Sequence, residues 1–310
     1  MEKTFKTLEE QIVILQKKGL KIDDIDLAKD ILLHENYFFL MGYRHIFFKS
    51  EKDRFFIHNT TFEELYAVFN FDRQIRNIFF KNILIVENNA KSIFSYQLSK
   101  NYGIREKDYL NPKNFSRDSK KKKQVNDLLK KIQRQIRING SQHAATTHYL
   151  SNYGYLPLWI VVKVLSFGIV SELFTILKNE DQTAISDVYN ISPNELIIYF
   201  PILANYRNLC AHEDMLYNHK SQRIIEDTKY HNYLNIPKMD GQYIYGKDDL
   251  FALVIILRRM LRDADFHQLI QEISYELDIL AGKIHTISID KILDAMGFPS
   301  NYKNILRTDV

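Results

Sequence analysis

Residues 72–100 read DRQIRNIFFKNILIVENNAKSIFSYQLSK. The apolar side chains of this stretch recur three or four positions apart, which is the spacing of one face of an α-helix; they are Ile75, Ile78, Phe79, Ile83, Val86, Ala90, Ile93, Phe94 and Leu98. Gly103 follows soon after, and glycine commonly ends helices. We therefore expect one long helix that forms the central pillar of the fold. Its charged residues Arg73, Arg76 and Glu87 are expected in structural ion pairs; the alternative is that Arg76 or Glu87 faces an active cleft.

The composition favours helices outside this stretch too. The 310 residues include only 10 Gly and 6 Pro, 45% are hydrophobic, and strand-like alternation is scarce. This hydrophobic share is enough for a folded core in one large domain or two smaller ones. The 19 Tyr and 20 Phe are expected mainly in that core and at its rim, with base stacking as the alternative. The prediction is an all-α fold.

Capping signals precede the pillar. Thr7 and Glu10 have the spacing of a capping box, so a first helix should begin after Thr7 and end near Gly19. Thr61 and Glu64 repeat that spacing and predict the start of another helix. Two helices are therefore expected before residue 72.

The middle of the chain is less regular. The dipeptide Asn111-Pro112 predicts a loop after the pillar. We expect a looser stretch over residues 139–155, then a helix over residues 157–165 and another after Gly168.

The clearest helix start lies further on, at Ser192-Pro193-Asn194-Glu195, which supplies a cap hydroxyl, a proline at the first helical position and a glutamate at the third. Pro201 should bend this helix because proline removes a backbone donor. A hairpin is expected near Asp240-Gly241. Beyond it we expect helices at residues 248–261, 266–280 and 288–296, with residues 290–307 as a docked tail.

Basic residues are concentrated in one segment. The net charge is +4, but residues 113–137 carry ten basic and two acidic side chains, which leaves the rest of the chain slightly acidic. The second half of the segment has an apolar stripe and is expected to be a helix with one buried face. The functional interpretation is a polyanion-binding strip, whose candidate residues are Lys120, Lys121, Lys122, Lys123, Lys130, Lys131, Arg134 and Arg137. The alternative is a solvated, partly disordered run of charge.

Other sequence features bear on the compartment. The single cysteine, Cys210, excludes an intramolecular disulfide and fits a reducing cytosol. No stretch of about 18 apolar residues occurs. Residues 1–6 lack the apolar core of a signal peptide. We expect a cytoplasmic protein with no membrane partner.

The sequence RNLCAH, residues 207–212, joins a permanent cation to a titratable imidazole. Arginine stays charged and binds phosphate oxygens with two donors, while histidine exchanges a proton near neutral pH. Such a pair is suited to phosphodiester cleavage without a metal. On an ideal helix residues five apart point about 140° away from each other. Either the helix breaks near Cys210-Ala211, or the working site combines two copies of the motif.

Arg207, polar Asn208, three residues and His212 resemble the motif of the HEPN nuclease superfamily. The wider segment, Tyr206 to Asn218, is similar to the AbiD/AbiF-type abortive-infection proteins of bacteria. Two other blocks resemble the same family in the same order; they are NYFFLMGY at 36–43 and YLPLW with LSFG between 155 and 168.

The resemblance implies a HEPN-like helical bundle with additional N-terminal and C-terminal helices. We expect a helical part over residues 1–110, a basic RNA-binding part over 111–150 and a motif-bearing part over 151–310, or one continuous domain.

The resemblance also implies metal-independent endoribonuclease chemistry in phage defence. His212 is implied as general acid or base and Arg207 as the group that stabilises the transition-state charge, while Asn208 orients His212 or a phosphate oxygen. Because such proteins commonly place two motifs face to face and this chain has one, a homodimer is expected. No cofactor and no metal site are expected; His143 and His148 are interpreted as surface or RNA-contacting residues.

Several alternatives stay open. Arg207 and His212 could be a buried arginine-carboxylate pair and a helix-end cap, and Glu213 or Asp214 could hold Arg207 or tune His212. The main functional alternative is a non-catalytic RNA-binding protein that forms a ribonucleoprotein with a structured small non-coding RNA. A third is a scaffold that binds protein. Cys210 is interpreted as a small buried filler rather than a nucleophile.

Overall fold

The computed structural model describes residues 4–50, 52–140 and 142–307, so the first three residues of the N-terminal segment lie outside it. The all-α prediction is confirmed, since helices dominate the structure. The sheet found in the described residues consists of one two-stranded hairpin. The first eight α-helices are α1 Leu8–Lys17, α2 Ile25–Glu35, α3 Tyr37–Met41, α4 Phe62–Tyr102, α5 Glu106–Tyr109, α6 Lys122–Asn139, α7 Ala144–Tyr153 and α8 Leu158–Val161.

The remaining α-helices surround the motif and close the chain. They are α9 Phe167–Ile176, α10 Asn179–Ser186, α11 Pro193–Ala211, α12 Lys229–Tyr233, α13 Leu250–Met260, α14 Asp263–Ala281 and α15 Ile289–Met296. Strands β1 Lys238–Met239 and β2 Gln242–Tyr243 pair antiparallel, with Lys238 opposite Tyr243. Short 3-10 helices cover Gly42–Phe47, Pro112–Asn114, Ser119–Lys121, Asp187–Tyr189 and Tyr302–Leu306.

Helix α4 is the expected pillar, and it is longer than predicted. It contains 41 residues, which corresponds to a length of about 60 Å. The capping box of Thr61 and Glu64 begins it, so the expectation of a separate helix before residue 72 is wrong. No breaker interrupts the pattern between the cap and residue 72, and Leu65 and Val68 extend the buried face. One continuous helix therefore crosses the molecule.

Other helices pack around α4. Helices α8, α10, α11, α13 and α14 contact it directly, and α9 packs against α11. Five residues of the predicted apolar face, Ile75, Phe79, Ile83, Val86 and Ala90, are fully buried. One hydrophobic cluster extends from Ile12 to Ile305 and includes residues of all three expected parts of the chain. The division into three parts itself stays a prediction.

Several element predictions are confirmed. The helices that begin after Thr7 and Ser192, the hairpin at Asp240-Gly241 and the three C-terminal helices all form. The second half of the basic segment is helical, and its apolar stripe faces inward.

Two expectations for the middle of the chain are wrong. The stretch 139–155 contains a regular helix, α7, which ends at Gly154 in the left-handed conformation that glycine favours. The helix expected over 157–165 is shorter, because α8 ends at Val161 and the bonds of Lys163 and Val164 reach only three residues back. Three valines at 161, 162 and 164 weaken helix propensity there. Helix α9 begins at Phe167, just before Gly168.

The buried face of α4 predicts a large cavity effect. Replacing the fully buried Phe79 by alanine should lower the free energy of unfolding by about 3–5 kcal/mol. Tyr96→Ala on the same helix is the matched control, because its side chain is 69% exposed and its loss should change stability by about 0.5 kcal/mol or less. Urea unfolding followed by circular dichroism measures both. Equal effects would contradict the pillar's assigned buried face.

Candidate active site

Helix α11 presents the motif at its C-terminal end. The side chain of Ser192 accepts a hydrogen bond from the amide of Glu195, Pro193 occupies the first turn, and the helix continues through Pro201 to Ala211. His212 is the C-cap residue, and its amide donates to the carbonyl oxygen of Asn208 at 3.0 Å. The helix therefore ends where the first geometric alternative expected a break. Glu213 follows with φ of 57°, which turns the chain away from the helix axis.

Arg207 faces the middle of α4. Its guanidinium carbon lies 5.7 Å from the centre of the Phe80 ring, and its Nε lies 3.5 Å from Oε2 of Glu87. Both of those atoms are buried and make no hydrogen bond. Glu87 also forms an ion pair of 2.6 Å with Lys91. Two cations thus share one carboxylate, so these three side chains together carry a net positive charge.

The carboxylate that holds Arg207 was only partly predicted. Glu87 was expected in a structural ion pair, and this is confirmed. The described carboxylate paired with Arg207 is Glu87, so the suggestion that Glu213 or Asp214 holds it is wrong. The side chain of Arg207 remains 35% exposed, which leaves its outer nitrogens within reach of a ligand in solvent.

His212 lines a different feature, a pocket of about 470 Å³ between α2, α3, α4 and the end of α11. The other lining residues are His34, Glu35, Asn36, Phe39, Phe69, Arg73, Arg76, Ala211 and Glu213. Arg207 is not among them. A single chain therefore places the two motif residues in separate surroundings.

Both arginines of this pocket are already paired. Arg73 donates to both oxygens of Glu35, at 2.9 and 2.6 Å, and Arg76 donates to buried Asp72. These pairs confirm the expectation of structural ion pairs, and Arg76 in addition lines the pocket. Among the described residues that line the pocket, both arginines are therefore already paired with carboxylates.

Asp72 anchors the loop that follows the motif, a role that sequence reasoning missed. Its carboxylate is fully buried and accepts hydrogen bonds from the Tyr43 hydroxyl at 2.6 Å, the amide of Leu216 at 3.0 Å and the amide of Tyr217 at 2.7 Å, besides Arg76. Burial raises the pKa of Asp72, whereas Arg76 and the other donors stabilise its charged form. The rings of Tyr43 and Tyr217 also stack at 5.7 Å. The sequence blocks 36–43 and 206–218, which both carry the family resemblance, thus donate hydrogen bonds to the same carboxylate.

The other motif residues differ in exposure. The side chain of Asn208 is exposed beside the helix end. Cys210 is buried, which raises the pKa of its thiol to about 12. The interpretation of Cys210 as a small buried filler is confirmed by the burial of its side chain.

The eight predicted RNA-binding residues lie on and just before α6. Two are engaged, since Lys121 donates to the carbonyl oxygen of Thr175 and Lys131 pairs with Glu172. The side chains of the other six are exposed and form no ion pair with a carboxylate in the described part of the chain; they are Lys120, Lys122, Lys123, Lys130, Arg134 and Arg137. Helix α6 packs on α9, and α9 packs on α11. The basic surface and the motif therefore belong to different layers of the fold.

The fold and the motif define an all-α protein with an arginine and a histidine at the end of a capped helix. The model of the family of Abi-like proteins matches residues 30–218, which is more than half of the chain. The chain belongs to this family, and that membership supports a role in abortive infection, a form of phage defence. No curated protein and no solved structure gives a significant match. None of the described helices is both long and apolar enough to cross a membrane.

The Asp72 anchor predicts a large loss of stability on truncation. Asp72→Ala should lower the free energy of unfolding by about 3–5 kcal/mol, because the charge of Arg76 would stay buried without its partner. Glu272→Ala is the matched control, since it breaks an exposed ion pair with Lys81, which lies on α4 as Asp72 does. Its loss should lower the free energy of unfolding by about 1 kcal/mol or less. Urea unfolding compares the two variants. A small and equal loss of unfolding free energy in both variants would show that the Asp72 anchor stabilises the fold no more than an exposed ion pair does.

Proposed function

We propose that this chain is a metal-independent endoribonuclease of the HEPN type that acts in abortive infection. The observation that carries the proposal is the position of the motif at the end of α11, where exposed His212 and half-exposed Arg207 are open to a polyanion. The excess positive charge around Glu87 favours a phosphate group. The family membership agrees with such a role but says nothing of the chemistry.

The proposed site is composite and needs two chains. Within one chain His212 lies in a pocket whose two arginines are each paired with a carboxylate. Arg207 does not line that pocket, and it shares the carboxylate of Glu87 with Lys91, which leaves a net positive charge beside it. In a two-fold symmetric dimer each copy would bring its Arg207 to the His212 of the other. Such an arrangement supplies both a charge and a proton carrier to one phosphate, which is what the homodimer expectation requires.

In the proposed reaction the RNA supplies its own nucleophile. The 2′-oxygen bonds to the adjacent phosphorus as its proton passes to a basic group, and the bond from phosphorus to the 5′-oxygen breaks as that oxygen gains a proton. His212 transfers one of these protons, and Arg207 stabilises the negative charge of the phosphorane-like transition state. Asn208 is exposed beside them and orients His212 or a phosphate oxygen. The products are a 2′,3′-cyclic phosphate and a 5′-hydroxyl.

A second candidate is a non-catalytic ribonucleoprotein with a structured small RNA. The six uncommitted cations on and before α6 favour it, because they offer a basic surface in a layer separate from the motif. RNA binding by this surface does not require His212. Both candidates therefore share the basic surface and differ at the motif.

The first test is cleavage without metal. Wild-type protein, purified without nuclease treatment, is incubated with labelled total RNA in EDTA beside Arg207→Ala and His212→Ala. We expect cleavage by wild type and a loss of about 100-fold or more in each variant, since general acid-base groups contribute about 10²- to 10⁴-fold. His267→Ala, an exposed histidine on α14, is the control and should cut normally. If no protein cuts but a discrete RNA co-purifies with wild type and with both motif variants, the ribonucleoprotein replaces the nuclease.

The second test addresses the composite site. Inactive Arg207→Ala and inactive His212→Ala are unfolded together, refolded as an equal mixture and assayed. A composite site predicts recovery of about one quarter of wild-type activity, because half of the dimers are mixed and each holds one intact site. The same mixing of wild type with itself corrects for refolding losses. No recovery in the mixture would mean that each chain uses its own pair.

A further inference from the structure

Helix α7 and the residues after it carry a cluster of aromatic rings at the surface. The ring of Tyr153 lies 5.3 Å from that of Tyr149, 6.2 Å from that of His148 and 6.4 Å from that of Tyr155, measured between ring centres. Tyr149 and Tyr153 are neighbours because residues four apart share one face of a helix. Gly154 then turns the chain with φ of 71°, which brings Tyr155 back beside Tyr153. We call these four residues the ring cluster.

Core packing explains only one ring of the cluster, Tyr149, which packs against the hydrophobic core. Thr146 is the buried residue of α7, whereas Tyr153 is 57% exposed, His148 is exposed and the other two rings are half-buried. Elsewhere in the described chain many tyrosines are fully covered, among them Tyr199, Tyr206 and Tyr217. A short helix that buries so little of itself but presents several rings to solvent has a surface available for a flat ligand.

One cation, Arg105, lies beside the rings. The guanidinium of Arg105 lies over the ring of Tyr155, with its carbon 5.2 Å from the ring centre. The adjoining helix α5 is fixed to the same segment, since Tyr109 donates to the carbonyl oxygen of Leu156 and the amide of Leu156 donates to Glu106. That bond also engages the carboxylate of Glu106. The amide is neutral, so Glu106 keeps its negative charge, and the cation that contacts the rings is Arg105.

The basic helix α6 continues this surface. A groove of about 690 Å³ is lined by Glu106, Lys107, Leu110, Asn111 and Pro112 on one side and by Gln133, Ile136 and Arg137 of α6 on the other. Arg137 and Lys107 thus lie on one groove, and Arg105, which contacts the rings, precedes Lys107 by two residues at the start of α5. Cations in a continuous groove bind a phosphate backbone, and exposed rings stack on bases, which is how single strands are bound.

We propose that the ring cluster stacks unpaired bases of single-stranded RNA whose backbone follows α6. The inference rests on the proposed RNA substrate, and it names unpaired RNA rather than a duplex as the form that this chain binds. In a duplex the bases are stacked on each other and their faces are closed to side chains. Stacking uses the ring face alone, so no particular base is required.

The test measures binding to a labelled oligoadenylate whose riboses carry 2′-O-methyl groups, which removes the nucleophile and so prevents cleavage. Tyr153→Ala in the full chain should weaken binding between about 5- and 150-fold, since one base stack contributes about 1–3 kcal/mol. Tyr153→Phe keeps the ring and should bind within about twofold of wild type. Fluorescence anisotropy at fixed salt gives each dissociation constant.

Two controls separate stacking from other effects. Tyr275→Ala removes a tyrosine of similar exposure, 65%, from α14 and should bind the single strand normally. A duplex of the same length should bind wild type and Tyr153→Ala within about twofold of each other. The inference is overturned if wild type does not bind the single strand, if Tyr153→Ala binds it as tightly as wild type, or if Phe fails to restore binding.

The failure of this inference is distinct from that of the proposed nuclease. Cleavage that depends on His212 together with normal binding by Tyr153→Ala would remove the ring cluster and leave the nuclease. Binding that depends on Tyr153 without cleavage by wild type would remove the nuclease and leave the ring cluster. If the rings of α7 bind a protein instead of RNA, Tyr153→Ala should bind the oligonucleotide normally, which is the first of these outcomes.

Discussion

The carboxylate of Asp72 is the group on which the arrangement of the motif depends. A buried charge is stable only when its oxygens are fully bonded, and Asp72 receives donors from its own helix, from Tyr43 and from two amides after the motif. Those amides belong to Leu216 and Tyr217, so the chain leaving His212 is held against the first third of α4. Because α4 is a single rigid helix, the same element also positions Glu87 beside Arg207. One helix thus fixes both members of the motif.

This shared support separates the two motif residues instead of joining them. His212 lines the pocket that Arg76 also lines, whereas Arg207 contacts Glu87 and the ring of Phe80. The two motif residues are five positions apart at the end of α11, about 7.5 Å along its axis. The charges are also unequal, because the arginines near His212 are paired one to one and Arg207 shares its carboxylate with Lys91. The chain thereby offers a proton carrier at one place and an uncompensated cation at another.

Features that depend on neighbouring residues could be predicted from the sequence, whereas contacts between residues far apart in the chain could not. The pillar, the cap at Ser192 and the hairpin could be predicted because each depends on residues within a few positions of one another. The Asp72 anchor could not, since its partners lie up to 145 residues away and nothing in the local pattern joins them. Helix α7 was missed because it has no apolar stripe to reveal it. The contact of Arg207 with Glu87 could not be predicted either, because it depends on how α11 packs against α4.

The distance along the chain between Asp72 and Leu216 has a consequence for biosynthesis. A ribosome completes α4, which ends at Tyr102, long before it reaches Leu216, the amide partner 144 positions after Asp72. Until then Asp72 and Arg76 have each other but not the segment that fixes His212 in place, and the pocket lacks one wall. Chains that end before Leu216 therefore lack the anchor and cannot hold His212 in this position.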